Sequence, residues 1–312
     1  TPDMFRVYQH VKGYNPELWA ALGEHDQILV LFLPVHISLN SGIIKPLTTR
    51  TNVFGGVLVK TGETEAFSEL ITEYKKRSGK KSQFTEIRNQ SSVDNLQSTF
   101  SKLDFRYEEQ LNYLIDLTPS PEEVFNRIGQ RTRRNIRHGL NQSKVQILQV
   151  SDLEGVLESY ELLSKTYHHA QVPLSDRSLF EVAFEQLSPK GMMMVNNAYI
   201  GNSPAATSVE LIYKDTITGW FAGMDRRFSK FNANELLMWH LLTFGANNGF
   251  RVYDFGGAGR SDKKYGVRDF KAKFGGALVS FGRNIWVPNP ILFAISKLAY
   301  SAYRKLYSLG NS

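Results

Sequence analysis

The apolar and polar positions in the N-terminal part of the chain predict an α/β arrangement. Apolar residues recur at helical spacing over 64–77, which predicts a helix with one face on a sheet. Short apolar runs around it predict strands at 27–33, 53–59, 83–88 and 112–117. One helix among short strands is the pattern of an α/β unit.

The next helix signal lies at Ser120. Ser120 is a favourable N-cap, and Pro121 fits the first helical turn. The two glutamates that follow complement the positive end of the helix dipole. The sequence therefore predicts one long basic helix over 121–141.

The pattern starts again in the C-terminal half. The predicted elements are a strand at 145–150, helices at 153–167 and 176–187, antiparallel strands at 192–199, 205–213 and 217–223, a helix at 233–247 and a strand at 250–255. This order describes a second α/β unit, so the chain is predicted to hold two.

The most informative local signal follows the last of these strands. Asp254-Phe255-Gly256-Gly257 ends the strand in a paired-glycine turn, and the segment YGVRDFKAKFGG over 265–276 ends in another. Glycine lets the backbone turn sharply and approach a ligand where a Cβ atom would block it. The stretch is a candidate site; glycines that serve turns beside solvated lysines are the alternative interpretation.

This succession of strand, DFGG, polar loop and YGVRDFKAKFGG resembles the C-terminal signature of the FemAB-like branch of the GNAT acyltransferase superfamily, which includes peptidoglycan-bridge aminoacyltransferases. A basic helix core at 131–137, and a helix that ends in Tyr167 shortly before Pro173, resemble upstream features of the same family. The resemblance covers most of the chain and is strongest over 121–281.

The resemblance implies two tandem GNAT-like domains in an α/β fold with mixed sheets, followed by a C-terminal helix. The expected divisions are an N-terminal domain at 1–142, which includes the linking basic helix 121–141, a C-terminal domain at 143–287, and a helix at 288–312. That last helix is amphipathic and basic. Two placements stay open for it: packing back on the N-terminal domain, or resting on an anionic membrane surface.

Composition limits the interpretation further. The chain has 312 residues, of which 42% are hydrophobic, enough for the cores of two domains. It has no cysteine, so disulfides, thiolate nucleophiles and cysteine-based zinc sites are excluded. The apolar runs are far shorter than the roughly 20 residues of a membrane-spanning helix, which predicts a cytoplasmic protein, either free or peripheral at the inner face of the membrane. The formal net charge of +7 favours anionic partners.

Acyl transfer to an amine requires a group that stabilises the developing oxyanion and a route for the proton. By resemblance, Phe270 and Lys271 match a Phe-Lys pair placed near the reacting carbonyl. Lys271 is therefore expected to be the electrostatic stabiliser, with Lys273 as the second choice. Asp254, at the strand end, could accept a proton or orient a lysine; alternatively, it only forms the turn.

The resemblance and the basic clusters together predict the substrate contacts. The residues expected to contact the acceptor are Arg134, Arg137, Tyr167, Gly256, Gly257, Tyr265 and Lys273. Those expected to hold phosphates of the donor are Arg226, Arg227, Lys230 and Asn232. The loop with which GNAT enzymes cradle the CoA pyrophosphate, R/Q-x-x-G-x-G/A, lacks both glycines here, which favours aminoacyl-tRNA or another carrier over acetyl-CoA. Simple solvation is the alternative for the arginines.

The sequence thus predicts an acyltransferase that moves an acyl or aminoacyl group to an amine of a small or lipid-linked cell-envelope precursor. The expected donor is aminoacyl-tRNA, acetyl-CoA or another acyl-CoA, with no tightly bound cofactor. No metal is expected, because the adjacent His168 and His169 lack an i, i+4 partner. Two alternatives stay open: an acyl-CoA-dependent GNAT N-acyltransferase for an amino sugar, and a non-catalytic module that binds tRNA or nucleotides.

Overall fold

A computed structural model describes residues 1–38 and 48–298. Its α-helices are, in chain order, α1 (Pro2–His10), α2 (Thr64–Arg77), α3 (Asp94–Lys102), α4 (Pro121–Arg127), α5 (Gln130–Gln142), α6 (Leu153–His169), α7 (Arg177–Leu187), α8 (Ala233–Asn247), α9 (Gly266–Ala272) and α10, described over 290–298.

The strands are numbered in chain order as well. They are β1 (Tyr14–Pro16), β2 (Trp19–Leu22), β3 (Ile28–Phe32), β4 (Val35–Ser38), β5 (Thr49–Phe54), β6 (Leu58–Val59), β7 (Thr85–Arg88), β8 (Arg106–Glu108), β9 (Leu111–Asp116), β10 (Val145–Gln149), β11 (Met193–Ile200), β12 (Ser203–Tyr213), β13 (Thr216–Met224), β14 (Val252–Asp254), β15 (Ala277–Ser280) and β16 (Arg283–Trp286). Mixed sheets with helices confirm the predicted α/β fold class.

The chain divides into two compact units. The larger unit contains Thr1–Val7 and Leu111–Ser280, and the smaller unit contains Tyr8–Gln110 and the chain from Phe281 onward. These divisions differ from the expected ones at 142 and 287. The reason lies in strand pairing, because β9 belongs to the sheet of the larger unit and β16 to a sheet of the smaller one.

The sheet of the larger unit has the strand order β10-β11-β12-β13-β14-β9-β15. Strands β10 to β13 are antiparallel, whereas β13 and β14 run parallel. Helix α8 packs on this sheet and places Leu241 and Leu242 in a buried core with Ile217 and Tyr253. The core therefore forms around the strands that flank the paired-glycine turn.

The smaller unit has a sheet with the order β1-β4-β5-β7-β16-β8 and a second sheet with the order β2-β3-β6. Helix α2 presents Phe67, Ile71 and Tyr74 to a buried core that also holds Val53 and Ile87. The apolar spacing that predicted α2 is thus the face that covers the strands.

Two strands pair in a different sheet from the strand that is next to them in sequence. Strand β9 follows β8 after two residues, yet it pairs with β14 and β15 in the larger unit. Strand β16 follows β15 after a turn, yet it pairs with β7 and β8 in the smaller unit. At that turn Gly282 has a φ of +66°, and its Cα packs against the Tyr107 ring, so a Cβ atom would not fit. Each sheet is completed by a strand that adjoins the other unit in sequence.

Two predicted elements are wrong. The single helix expected over 121–141 is two helices, because Ile128 is extended and the N–H of Gly129 donates to the carbonyl of Lys273 at 2.8 Å. The strand expected over 53–59 is divided in two: β5 ends at Phe54, Gly55 and Gly56 both adopt positive φ, and Leu58–Val59 forms β6 in another sheet. The helices predicted at 64–77 and 233–247 are confirmed at both ends.

The C-terminal helix is present as α10 up to residue 298. On one side, the Phe293 ring packs against Phe84 of the smaller unit with centroids 5.6 Å apart. The part of the predicted helix beyond residue 298 lies outside the described residues. Within the described parts of the chain, none of the helices combines the length and the apolar character needed to cross a membrane.

Candidate active site

The paired-glycine turn lies where two parallel strands separate. The pairing of β13 with β14 ends at Thr218 and Asp254, whereas β13 itself continues to Met224. Gly256 has a φ of +73° and packs directly on the carbonyl oxygen of Gly219, which leaves no room for a Cβ atom. The glycine is thus required at this position. Residues 219–224 of β13 lie beyond the last pair that this strand forms with β14.

A hydrogen-bond network around Asp254 fixes the turn. One oxygen of Asp254, Oδ1, accepts from the N–H of Gly256 at 2.7 Å and from Nδ2 of Asn112 at 2.6 Å. The Oδ1 atom of Asn112 accepts from the N–H of Gly257 at 2.9 Å. Asp254 therefore holds the turn, and its action as a proton acceptor stays a prediction. Asn112, on β9, was missed because a single polar residue at the start of a strand is not a signal.

Lys271 reaches the same turn from α9. Its Nζ donates to the carbonyl oxygens of Phe255, at 2.6 Å, and of Gly257, at 2.5 Å. Burial lowers the pKa of Lys271 from 10.5 to about 8, and the nearby carboxylate of Asp254 opposes part of that shift. The structure thus brings together four predicted residues: Asp254, Gly256, Gly257 and Lys271.

Lys273 points elsewhere. Its Nζ lies 3.7 Å from Oε1 of Glu235, in the first turn of α8, and 5.7 Å from the centre of the Phe270 ring. Glu235 is buried and also accepts a hydrogen bond from Nδ2 of Asn135 at 2.9 Å. Of the two lysines, only Lys271 contacts the turn. Lys273 and Glu235 instead tie α9 and α5 to the start of α8.

Phe270 packs within the larger unit. Its ring lies 5.2 Å from that of Phe274, centroid to centroid, beside the buried core. Packing against the core is sufficient to explain why an apolar residue stands at position 270. Its placement near a reacting carbonyl stays a prediction.

Aromatic side chains line the region beside the turn. The rings of Tyr167 and Phe221 lie 6.0 Å apart, and those of Trp220 and Phe221 lie 5.0 Å apart. Burial raises the pKa of Tyr167 to about 12, and the neighbouring Tyr265 contributes to the shift. The sequence indicated the two tyrosines but not the residues of β13. Trp220 is the extra residue of a bulge between β12 and β13, and bulges redirect side chains.

A buried carboxyl group lies one strand away from the turn. Glu210 on β12 is 1% exposed and is paired across the sheet with Gly219. Burial raises its pKa to about 8. Ser208 Oγ donates to it at 3.3 Å. At neutral pH this side chain is therefore predominantly protonated.

The predicted acceptor arginines lie on α5. Arg134 is exposed, and the guanidinium of Arg137 lies 5.2 Å from the centre of the Phe125 ring. Neither is linked to the Lys271 network by any contact that the structure describes. Their contact with phosphate stays a prediction.

The predicted donor residues lie between β13 and α8. Arg226 and Lys230 are exposed on a 3-10 helix, Arg226–Phe231, whereas Arg227 forms an ion pair with Asp225 at 2.6 Å. Asn232 adopts a left-handed conformation and joins this helix to α8. The segment that replaces the glycine-rich loop is therefore helical, and Arg227 is already neutralised.

The arrangement offers a half-buried amine beside an unpaired strand edge and an aromatic surface. Such an amine, when protonated, stabilises a negative oxygen that develops next to it, and the strand edge can pair with an extended ligand. In residues 1–38 and 48–298, no three His, Asp or Glu side chains cluster as metal ligands would.

Comparison with known proteins agrees with this geometry. Residues 127–271 match the family model described as an acetyltransferase (GNAT) domain. No curated protein matches the chain significantly in sequence. The fold is similar to the crystal structure of FemX, with a TM-score of 0.70, 15% identity, and coverage of 94% of this chain and 92% of FemX.

Two further solved structures resemble the chain over most of its length. One is the C-terminal domain of an Agrobacterium fabrum protein described as a lysylphosphatidylglycerol synthetase, with a TM-score of 0.60, 13% identity and coverage of 96% and 90%. The other is a tandem GNAT protein from the clavulanic acid pathway, with a TM-score of 0.58, 10% identity and coverage of 92% and 88%. The chain thus contains a GNAT acetyltransferase domain at residues 127–271, and its overall fold is similar to those of FemX and of a tandem GNAT protein.

Proposed function

We propose that the protein transfers an acyl or aminoacyl group to an amine of a cell-envelope precursor. The observation that carries the proposal is the Lys271 amine, held by the carbonyls of Phe255 and Gly257 beside the unpaired edge of β13. The resemblance to FemX and to a protein described as a lysylphosphatidylglycerol synthetase supports an envelope-related acceptor.

In the proposed reaction the acceptor amine attacks the carbonyl carbon of the donor. The new C–N bond forms first and gives a tetrahedral oxyanion, which the protonated Lys271 stabilises. The C–O bond of an ester, or the C–S bond of a thioester, then breaks as the oxyanion collapses. The attacking amine loses one proton to water, and the leaving hydroxyl or thiol takes up one proton from water. Asp254 keeps the turn in place and partly maintains the positive charge of the lysine.

The donor is proposed to be aminoacyl-tRNA. The segment after β13 is a 3-10 helix, Arg226–Phe231, that contains no glycine and therefore offers no glycine-rich loop for a pyrophosphate. One of its arginines, Arg227, also forms an ion pair with Asp225. Arg226 and Lys230 are exposed there, and Arg134 is exposed on α5. Exposed cations of this kind suit a polyanion that is held by many weak phosphate contacts.

A donor assay tests this proposal. The purified chain is incubated with aminoacyl-tRNA, or with acetyl-CoA, each radiolabelled in the acyl group, and with a pool of cell-envelope precursors. Label that moves from tRNA to an amine, and that depends on Lys271, supports the proposal. Transfer from acetyl-CoA alone overturns the choice of donor, and transfer from neither overturns the proposed reaction.

An acyl-CoA-dependent N-acyltransferase for an amino sugar is the second candidate. The family model is that of an acetyltransferase, and one structural neighbour is described as a glucosamine N-acetyltransferase region, with a TM-score of 0.54 and 10% identity. The same assay with glucosamine and acetyl-CoA separates this candidate from the first.

We also propose that α10 rests on an anionic membrane surface. Ile291, Ile295 and Leu298 lie at i, i+4 and i+7 and are 75%, 56% and 71% exposed. Residues 270–312 contain no Asp or Glu, and Lys297 lies next to the apolar stripe. An exposed aliphatic stripe in a basic segment is the pattern of an interfacial helix.

Vesicle binding tests this placement. We expect the wild type to sediment with vesicles that contain phosphatidylglycerol more than with pure phosphatidylcholine. Replacing Ile291 and Ile295 together by Ser removes about 2 kcal/mol of apolar transfer energy per side chain, so binding falls at least about tenfold. Leu278→Ser, at an exposed leucine on β15, is the matched control. Equal binding by the double variant contradicts the proposal.

A further inference from the structure

We infer that Asn112 is a positioning residue that acts through Lys271: its amide fixes the Gly256–Gly257 turn and so sets the surroundings of the lysine amine. The inference rests on the proposed function, in which that amine stabilises the oxyanion. Asn112 lies outside residues 127–271, which match the acetyltransferase domain. The site therefore depends on a residue that the domain itself does not supply.

Strand β9 runs along the turn on both sides of Asn112. The N–H of Phe255 donates to the carbonyl of Tyr113 at 3.1 Å, and the N–H of Ala258 donates to the carbonyl of Leu111 at 2.6 Å. The N–H of Leu111 in turn donates to the carbonyl of Gly259 at 2.8 Å. The backbone of β9 is thus the template for residues 255–259, and Asn112 is at its centre.

The amide of Asn112 is bonded at both ends. Its Oδ1 accepts from the backbone N–H groups of Gly257, at 2.9 Å, and of Tyr113, at 2.8 Å. Its Nδ2 donates to Asp254 Oδ1 at 2.6 Å. Because both backbone groups are donors, the orientation of the amide is determined. The side chain links β9, the end of β14 and the second glycine of the turn.

Two side chains hydrogen-bond to the backbone of the turn. Asn112 accepts from the N–H of Gly257, and Lys271 donates to the carbonyls of Phe255 and Gly257. The N–H and the carbonyl of Gly257 thus have different partners. If the amide is removed, the N–H of Gly257 loses its partner and the turn is free to rotate, so the carbonyls no longer meet the lysine. Water then reaches the amine, and the pKa of Lys271 rises towards 10.5.

Two variants and a control test the inference in the full-length chain. Asn112→Ala removes all three hydrogen bonds. Asn112→Asp keeps an acceptor for the two N–H groups, but it loses the donated bond and adds a negative charge beside Asp254. Asn248→Ala removes one side-chain hydrogen bond, to the carbonyl of Phe244 at the end of α8, and serves as the matched control. Far-ultraviolet circular dichroism and Tm establish that each variant is folded.

The first measurement does not depend on activity. The rate at which trinitrobenzenesulfonate modifies Lys271 is followed against pH by peptide mass spectrometry, which yields the pKa of this one amine. We expect the pKa to rise by about one unit in both Asn112 variants, through hydration in Asn112→Ala and through the added charge in Asn112→Asp. It should stay unchanged in Asn248→Ala. A wild-type titration of Lys271 in folded Asn112→Asp overturns the inference.

The second measurement is the pH dependence of kcat/KM with the donor that the assay identifies. We expect a loss of about 100-fold at pH 7 in Asn112→Ala, the effect of misplacing a reactive group by about 1 Å, and an alkaline limb that moves with the lysine. If the pKa of Lys271 rises while the pH profile and rate stay unchanged, the positioning inference is supported, and the role proposed for Lys271 is overturned instead.

Discussion

Both units contain a strand that leads into a Phe-Gly-Gly turn, but only one of these two turns belongs to the candidate site. In the larger unit, Phe255 is buried in the core and the two glycines adopt φ of +73° and +129°. In the smaller unit, Phe54 is 39% exposed and Gly55 and Gly56 adopt φ of +93° and +85°. The local backbone is similar, and the difference lies in what surrounds it.

The strand next to each turn explains much of that difference. In the smaller unit, β5 and β7 remain paired to the last residue of each, Phe54 with Arg88. In the larger unit, β13 continues from Gly219 to Met224 beyond its pairing with β14. An unpaired strand edge is therefore available only beside the second turn.

The side chains at the two turns also differ. The groups nearest the glycines of the smaller unit are the amides of Asn89 and Gln90, and the guanidinium of Arg88 lies over Phe54. In the larger unit, Lys271 binds two carbonyls of the turn. The two turns thus share their Phe-Gly-Gly sequence but differ in the lysine and in the open strand edge, on which the proposed reaction depends.

The largest expected effect is that of Lys271→Met. Removing a preorganised cation from a developing oxyanion lowers kcat about 100-fold to 1,000-fold. Lys273→Met should reduce kcat less than about threefold, because Lys273 pairs with Glu235 and is exposed. Steady-state kinetics with the identified donor measure both. An equal loss of kcat in the two variants would show that the different contacts of the two lysines do not give them different roles in catalysis.

Alanine at one glycine of each turn sharpens the comparison. Gly55→Ala should cost about 1–2 kcal/mol of unfolding free energy, the strain of a positive φ, and leave activity intact. Gly256→Ala adds a clash with the carbonyl of Gly219, so stability falls further and kcat/KM falls about 100-fold. Urea unfolding and kinetics report the two quantities. Full activity in Gly256→Ala would remove the turn from the site.

Buried glutamates provide a third contrast. In the smaller unit, burial opposes ionisation of Glu86, but Arg88 and Arg283 overcome it and the pKa of Glu86 is lowered. Glu86→Gln should therefore cost about 2 kcal/mol at pH 7, because it leaves two partly buried arginines without their carboxylate.

Glu210→Gln in the larger unit should change the free energy of unfolding in the opposite direction, which means that it should stabilise the protein at pH 7. Glu210 contributes stability that is full below pH 4.5 and is lost as the pH rises through about 8, its pKa in the folded protein. Glutamine does not titrate, so the stability of the variant does not change in this way with pH. Relative to the wild type, its free energy of unfolding therefore rises by up to about 1.4 kcal/mol per pH unit between these values. Urea unfolding from pH 4 to 9 measures it. A constant difference would mean that Glu210 is ionised at neutral pH.

The smallest expected effects concern the pH dependence of the wild type. Because the pKa of Lys271 is about 8 when folded and 10.5 otherwise, the folded state binds fewer protons between these values. The contribution of Lys271 to stability therefore rises from pH 8 to 10.5, while activity falls above about pH 8 as the ammonium loses its proton. Lys271→Met should lack the slope in stability. Retention of that slope would assign it to another group.

The sequence predicts elements whose determinants are local. Helix α2 has the predicted ends because its apolar spacing lies within the element itself, and helix α8 ends where Asn248 and Gly249 predict it to end. The lysine of the site was also found, because DFKAKFGG is a contiguous motif. The signal in each case comes from neighbouring residues.

What sequence reasoning missed depends on distant partners. The break at Gly129 is stabilised by the carbonyl of Lys273, 144 residues further on, and the role of Asn112 depends on Asp254, 142 residues away. The sheet to which β9 or β16 belongs is likewise decided by pairing across the chain. Periodicity and caps carry no information about such pairs.

The pairing of β16 in the smaller unit limits when the sheet of that unit can be completed during synthesis. The smaller unit's sheet needs β16 between β7 and β8, so it cannot be completed until Arg283–Trp286 has left the ribosome. About 170 residues separate Gln110 from that strand, which corresponds to roughly 10–35 s of translation. During that interval the strand that lies between β7 and β8 in the finished sheet has not yet been made. The sheet that contains strands from Tyr8–Gln110 is therefore completed after the strands of the larger unit have been made.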